Sequence, residues 1–248
     1  MKEFAWRLLS PLLDWRRTWA AIAEYPAFVG DLRRYRALGG EALTLDLFPQ
    51  LHDHMASSPF DPHYFFQDSW AAQRIAESAP AQHVDVGSRV DLVAFLTAIT
   101  SVTFVDIRPL EVEMEGLTSV EGSVLDLPFA DRSQESISCL HVAEHIGLGR
   151  YGDPLDPMGT VNAAKELARV LAPGGKLLFS GPVGRPRTMF NAHRVHAPEQ
   201  VRAMFGELEL IEFAGVDDGG EFARHRELSE LADCEYGCGM FLFGRIAV

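Results

Sequence analysis

The residues of this chain whose types and spacing could do chemistry fall into two sets. In the first, Asp85, Gly87 and Ser88 stand in D-V-G-S-R at the end of a short apolar-leaning run, and Asp106 closes a β-branched run 19 residues after Gly87. A tight turn at such a place can bring backbone N–H groups and a helix start to a ligand, and an acid about 20 residues on can accept hydrogen bonds from a ribose. The second set is rich in imidazole: His141 and His145 in L-H-V-A-E-H, then His193 and His196 in M-F-N-A-H-R-V-H. Imidazole gains and loses a proton near neutral pH, which makes each a candidate general base. His141, at the end of an apolar run, and His193 carry that role in the present reading.

These residues need elements to position them. Residues 81–86 read as a strand, Val90 to Ile99 as an amphipathic helix and Val102 to Val105 as a second strand. Parallel strands need a connection of about a dozen residues, and a helix supplies it, so the spacing predicts a right-handed βαβ unit. The pattern continues with strands at Leu117 to Glu121, Ser136 to His141, Lys176 to Ser180, Leu208 to Ala214 and Met240 to Val248, and helices at Met158 to Leu171 and Pro198 to Phe205. Pro173-Gly174-Gly175 reads as the break before one of these strands. The elements predict an α/β fold with an open, mostly parallel sheet, helices on both faces and a ligand crevice at the carboxyl ends of the strands.

The 248 residues are 47% hydrophobic and 23% charged, which suits one globular domain, residues 80–248, with an appendage, residues 1–79. In that N-terminal helical arm and lid, seven basic residues oppose four acidic ones over residues 1–38, and Phe4, Trp6, Leu8, Leu9, Leu12, Leu13, Trp15 and Trp19 recur at helical spacings interrupted at Pro11. Its apolar face is expected to pack on the main domain or on a second copy, which would make a homo-oligomer. Gly39-Gly40 closes the arm, Phe48 to His63 reads as a loop, and Tyr64 to Ser78 as a helix whose aromatics could form a lid. A net charge of −13 disfavours nucleic acid as a general partner. No apolar run approaches the roughly 20 residues of a membrane span, so stable membrane insertion is not expected. Three cysteines make no disulfide framework and no charged n-region precedes an apolar stretch; the expectation is a reduced, cytoplasmic protein.

Taken together, His83-Val-Asp-Val-Gly-Ser88, Val105-Asp-Ile-Arg108, Leu127-Pro-Phe-Ala-Asp131, Leu140-His-Val-Ala-Glu-His145 and Glu166-Leu-Ala-Arg-Val-Leu-Ala-Pro-Gly-Gly175 resemble, in order and spacing, the class I S-adenosylmethionine-dependent methyltransferases. Within that superfamily the D-V-G-S-R-V-D and V-D-I-R-P-L wording is similar to a bacterial family of uncharacterised methyltransferase-like proteins. The resemblance implies a Rossmann-like, seven-stranded sheet whose last strand inserts antiparallel, and S-adenosylmethionine as cofactor. It implies that Asp85, Gly87 and Ser88 form the turn under the methionine part, that Asp106 binds the ribose hydroxyls, and that Ile107 packs on the adenine. Ser123 and Val124 fall beside the adenine edge, and His141 beside the transferable methyl group. The turn departs from the common D-x-G-x-G-x-G, with Arg89 and Asp91 at the later glycine positions, and Ser123 replaces the usual Asp.

Methyl transfer needs acceptor and methyl in line, and a hydroxyl acceptor also needs a base. Arg150, Tyr151 and Asp153 in the glycine-rich loop Gly147 to Pro154, with Arg185 and Arg187, suit a hydroxylated, saccharide-type or phosphorylated acceptor. The expected activity is therefore O-methylation of a small or saccharide-type acceptor. Its alternatives are a catalytically silent methyltransferase-fold module that binds or assembles, and a related fold holding another nucleotide. His141-x-x-Glu144-His145, closed by His193 or His196, would suit a transition metal over magnesium, but no metal is assigned. Cys234 and Cys238 read as two buried thiols.

Overall fold

The computed structural model describes residues 15–51 and 53–247. They fall into two compact units, divided between Pro59 and Phe60. In the first, helix α1 (Trp15–Ala37) runs through Pro26 and carries Arg34 and Arg36 in its last turn. It stops where Gly39 takes the left-handed backbone region at φ +90°. A short 3-10 turn, Thr44–Asp46, follows. The apolar residues Phe4 to Leu13 and the Pro11 break of the expected arm lie outside the described residues.

The second unit begins earlier than the boundary expected at residue 79. Helix α2 (Pro62–Ser78) belongs to it, started by Pro62 and by the Asp61 carboxylate, which accepts from His63 N at 2.9 Å. The reason is its buried face: Trp70 Nε1 donates to Glu212 Oε1 at 2.8 Å, and Arg74 Nη1 pairs with Glu212 Oε2 at 2.9 Å.

After α2 come β1 (Gln82–Val86), α3 (Val90–Leu96), β2 (Ser101–Asp106), β3 (Leu117–Glu121), β4 (Gln134–Leu140), α4 (Gly159–Val170) and β5 (Leu171–Val183). Then follow β6 (Arg187–Met189), β7 (His193–Val195), α5 (Pro198–Met204), β8 (Glu209–Val216), β9 (Phe222–Ala223) and β10 (Gly237–Gly244). The main sheet has the order β3-β2-β1-β4-β5-β10-β8-β9. β1 pairs in parallel with both β2 and β4, so the strand order reverses there and opens a crevice at the carboxyl ends. β10 enters antiparallel between β5 and β8, as the resemblance implies. Three details differ from expectation. The two-residue β9 adds an eighth strand, and β6 and β7 form a separate hairpin. Pro173-Gly174-Gly175 does not precede β5 but lies within it as a bulge, where pairing with β4 jumps from Leu171 to Lys176.

Side chains alternate across the sheet and build a core on each face. Leu177, Phe179, Phe241 and Phe243 point to the face covered by α4 and α5, with Phe179 and Phe205 ring centroids 4.9 Å apart. Leu178, Met240 and Leu242 point to the other face, under α2 and α3, with Trp70, Ile75 and Leu96. Each such buried side chain contributes about 1.5 to 3 kcal/mol. The strand ends that carry the candidate residues are therefore held by packed elements on both sides.

Candidate active site at the strand carboxyl ends

The turn after β1 is built from within. Asp85 is fully buried; its Oδ1 accepts from Ser88 N at 3.0 Å and its Oδ2 accepts from the Ser138 hydroxyl. Burial, opposed by those hydrogen bonds, pushes the Asp85 carboxyl up to about 6. Ser88 Oγ accepts from Leu140 N at 3.2 Å, tying the turn to β4. Asp85 and Ser88 are thus the brace of the turn. Gly87 sits at φ +70°, and a Cβ there would lie 3.1 Å from Val142 Cγ1 and 3.5 Å from Asp106 Oδ2. The glycine is required both by its backbone and by the space beside Asp106. Asp106, at the end of β2, uses Oδ1 to accept from Arg108 N at 2.7 Å.

Two hollows meet at Gly87, Asp106 and His141. The first, about 390 Å³, is walled largely by apolar side chains, among them Val105, Ile107, Val124 and Leu125. Ile107, 43% exposed, offers a bare flank to it, while Val124 is buried in its floor. Ser123 lines the same hollow, and its Oγ already accepts from Leu125 N at 3.1 Å, which leaves one lone pair for a ligand. The second hollow, about 550 Å³, is lined by Arg89, Tyr64, Glu144, His193 and Tyr236. Tyr151 borders both, with the Arg108 and Arg150 guanidinium carbons 4.9 and 5.1 Å from its ring centroid.

The imidazoles separate into different roles. His141 follows β4 with a left-handed φ of 55°. Its Nδ1 faces Glu144 Oε1 at 2.9 Å and its Nε2 faces Cys238 Sγ at 3.4 Å. Burial pulls this imidazole down, but the Cys238 sulfur and the Glu144 carboxylate together hold it well above its usual value. Held toward its charged form, with both ring nitrogens facing protein partners, His141 is a poorer base for an acceptor's proton than its place at the strand end suggests. His145 borders both hollows, but its Nδ1 is spent on Ala192 O at 2.6 Å. His193 lines the second hollow, its Nε2 is buried without a hydrogen-bond partner, and burial lowers it below its usual value. Its ring lies 4.9 Å from that of Tyr236. His196 Nε2 is also buried and unpartnered.

Other expected acceptor groups are spent on the protein itself. Asp153 accepts from Gly147 N at 2.6 Å and from Tyr151 N at 3.2 Å, closing the glycine-rich loop. Arg185 and Arg187 both pair with Glu235. One residue of the site went unnoticed in the sequence, His63, whose ring stacks between His141 at 6.1 Å and Tyr236 at 5.3 Å, and another, Cys238 on β10, was read only as a buried thiol. Asp61-Pro62, a helix-start signal, could have placed His63 at the mouth of α2.

A family model described as "Caenorhabditis protein of unknown function, DUF268" matches residues 86–227. No curated protein matches the chain. Among solved structures, the [4+2]-cyclase SpnF is 14% identical, with 85% of this chain and 91% of that chain covered and a TM-score of 0.57. The N-methyltransferase NodS from Bradyrhizobium japonicum WM9, in complex with S-adenosyl-L-homocysteine, is 17% identical, with 74% and 87% covered and a TM-score of 0.52. A second structure of NodS gives 14%, 75%, 98% and 0.54 for the same quantities. The fold is that of the class I methyltransferases. One of these likenesses is a cyclase by its description, so the fold by itself does not name the reaction.

Proposed function

We propose that this chain, which belongs to the family described as Caenorhabditis protein of unknown function, DUF268, is an S-adenosylmethionine-dependent methyltransferase acting on a hydroxyl of a small or saccharide-type acceptor. The observation that carries the reading is the junction at Gly87 and Asp106. On one side lies a hollow of apolar walls sized for an adenine, and on the other a polar hollow with an unpartnered imidazole. The space a Gly87 Cβ would fill, directly beside Asp106 Oδ2, fits a cofactor that passes close to the turn. Asp106 would hold the ribose hydroxyls, Ile107, Val124 and Ser123 the adenine, and Arg89 the carboxylate of the methionine part. When bound, the cofactor supplies an electrophilic methyl group on a sulfonium.

The chain's own residues do the rest. His193 Nε2, neutral because burial disfavours its charged form, takes the proton of the acceptor hydroxyl. Tyr236, whose hydroxyl burial keeps protonated, and Tyr151 with its two flanking arginines orient a polar acceptor and exclude water. A dinucleotide is the poorer fit, because the turn spends its donors internally: Gly87 N on Val105 O at 2.9 Å and Ser88 N on Asp85. The net charge of −13 likewise favours a small acceptor over nucleic acid.

The test is calorimetry on the full chain with S-adenosylmethionine and S-adenosylhomocysteine. Saturable heat from both is expected, and silence at millimolar ligand removes the reading at its first step. A second reading, a catalytically silent binding module, is favoured by the Arg89–Asp91 ion pair at 3.0 Å, which occupies positions where the fold commonly has glycines. Cofactor binding without S-adenosylhomocysteine release against a panel of hydroxylated acceptors would select it.

A further inference from the structure

Three elements bring three metal-ligating side chains together at the inner end of the polar hollow: His63 in the first turn of α2, His141 at the end of β4 and Cys238 in β10. One ligand atom from each lies within 4.8 Å of the others. We propose that His63, His141 and Cys238 bind a zinc-like divalent transition-metal ion whose fourth position faces the hollow and takes the oxygen or sulfur of the acceptor.

The chain fixes each ligand before any ion arrives. Asp61 caps the helix start and so sets His63, and Cys238 is in register with Pro182 on one side and Val216 on the other. His141 N donates to Ser180 O at 3.1 Å. Glu144 Oε1, at 2.9 Å from His141 Nδ1, keeps a proton on that nitrogen and turns the Nε2 lone pair toward Cys238. This carboxylate–imidazole relation is what orients histidine ligands in metal sites. The His141 Nε2 to Cys238 Sγ separation of 3.4 Å matches the edge of about 3.5 Å that a tetrahedral ion would give with bonds of roughly 2.05 and 2.3 Å to nitrogen and sulfur.

A second observation points the same way. Glu144 is 3% exposed, and its Oε2 has no hydrogen-bond partner among the described residues. A buried carboxylate is costly unless positive charge compensates it, and a divalent ion on the imidazole that Glu144 pairs with would supply such charge in place of the Nε2 proton. Two imidazoles and one thiolate select zinc or cobalt over magnesium or calcium, and three protein ligands leave an open position. At that position the acceptor's X–H bond breaks, the electron pair stays on X under the ion, and the proton passes to His193 Nε2 or to solvent. The identity of X as a methyl acceptor rests on the methyltransferase reading; the ion site does not.

The experiment strips the full chain with chelator, dialyses it and titrates it with Co²⁺, then with Zn²⁺. One equivalent of Co²⁺ should bind, with a thiolate-to-cobalt charge-transfer band and intense four-coordinate visible bands, and Zn²⁺ should erase both. Cys238→Ser should remove the charge-transfer band. His63→Gln, at a half-buried helix start where folding tolerates the change, should weaken Co²⁺ binding by about 10²-fold, the upper range for disturbing a ligand shell. No stoichiometric cobalt, a charge-transfer band that survives in Cys238→Ser, or unchanged affinity in His63→Gln overturns the site. Calorimetry with S-adenosylhomocysteine on the same samples separates the two readings. Cofactor binding without cobalt binding refutes the ion site alone, and cobalt binding without cofactor binding supports the site while removing the methyltransferase reading.

Discussion

Asp85 and His83 point the same way from β1 and share one hydroxyl, and their opposed ionisation makes a prediction specific to this turn. His83 Nε2 lies 2.8 Å from Ser138 Oγ, which donates to Asp85 Oδ2; His83 Nδ1 lies 2.7 Å from Ser136 Oγ. Both residues are fully buried, and burial pushes His83 down to about 3 and Asp85 up to about 6. In the unfolded chain they return to 6.5 and 3.8. On acidification from pH 7 to pH 5 the unfolded His83 binds a proton that the folded one refuses, which costs about 2 kcal/mol of stability. Over the same interval the folded Asp85 binds a proton that the unfolded one does not. Its raised pKa contributes stability that is complete below 3.8 and lost as pH rises through about 6, so acidification returns about 1 kcal/mol. The second offsets the first in part. Asp85→Asn keeps an oxygen for Ser88 N but removes the compensating titration, so the variant should lose about 1 kcal/mol more than the wild type between pH 7 and pH 5. Urea midpoints at the two pH values, at unchanged m, read this difference directly, and other titrating groups drop out of the comparison. Equal pH dependence in the two proteins would refute the idea that burial perturbs Asp85.

Four further outcomes test the rest of the site. Asp106→Ala should weaken S-adenosylhomocysteine binding by about 1.5 to 3 kcal/mol, the range for hydrogen bonds to a charged group, and unchanged calorimetric affinity would sink the ribose assignment. Gly87→Ala, at φ +70° and 3.1 Å from Val142, should cost about 1 to 2 kcal/mol of stability and block the cofactor's approach; full affinity in the variant would show that nothing passes there. His193→Ala should leave cofactor affinity unchanged and lower turnover by about 10²-fold or more, whereas intact turnover would remove it as the base. Glu212→Ala strands Arg74, only 7% exposed, and Trp70 Nε1, so thermal or urea unfolding should show a loss of about 3 to 5 kcal/mol; a loss under 1 kcal/mol would show that Glu77 alone satisfies the guanidinium.

What the sequence makes legible here is what lies close along the chain. Gly87 and Asp106 are joined by one short helix, so their spacing alone predicts the βαβ unit and the junction at which the two hollows meet. The last strand is legible as an apolar run, but its beginning is not. Gly237-Cys238-Gly239 carries no β-branched residue, and those glycines are set by contact: a Cβ on Gly239 would come within 2.7 Å of Val183 Cγ1. That hides Cys238 inside the sheet, where it meets His141, 97 residues earlier in the chain. The spacing of His141, Glu144 and His145 would suit one helical turn, but the chain does not form one there, for a local reason. His141 takes a left-handed backbone and only a 3-10 turn, Ala143–His145, follows, so Glu144 swings back to His141 while His145 reaches Ala192. Under the proposed function the base is therefore better sought away from the strand end that the motif marks, where both nitrogens of the His141 ring already face protein partners. It is to be sought in the β6–β7 hairpin, where His193 keeps its free nitrogen.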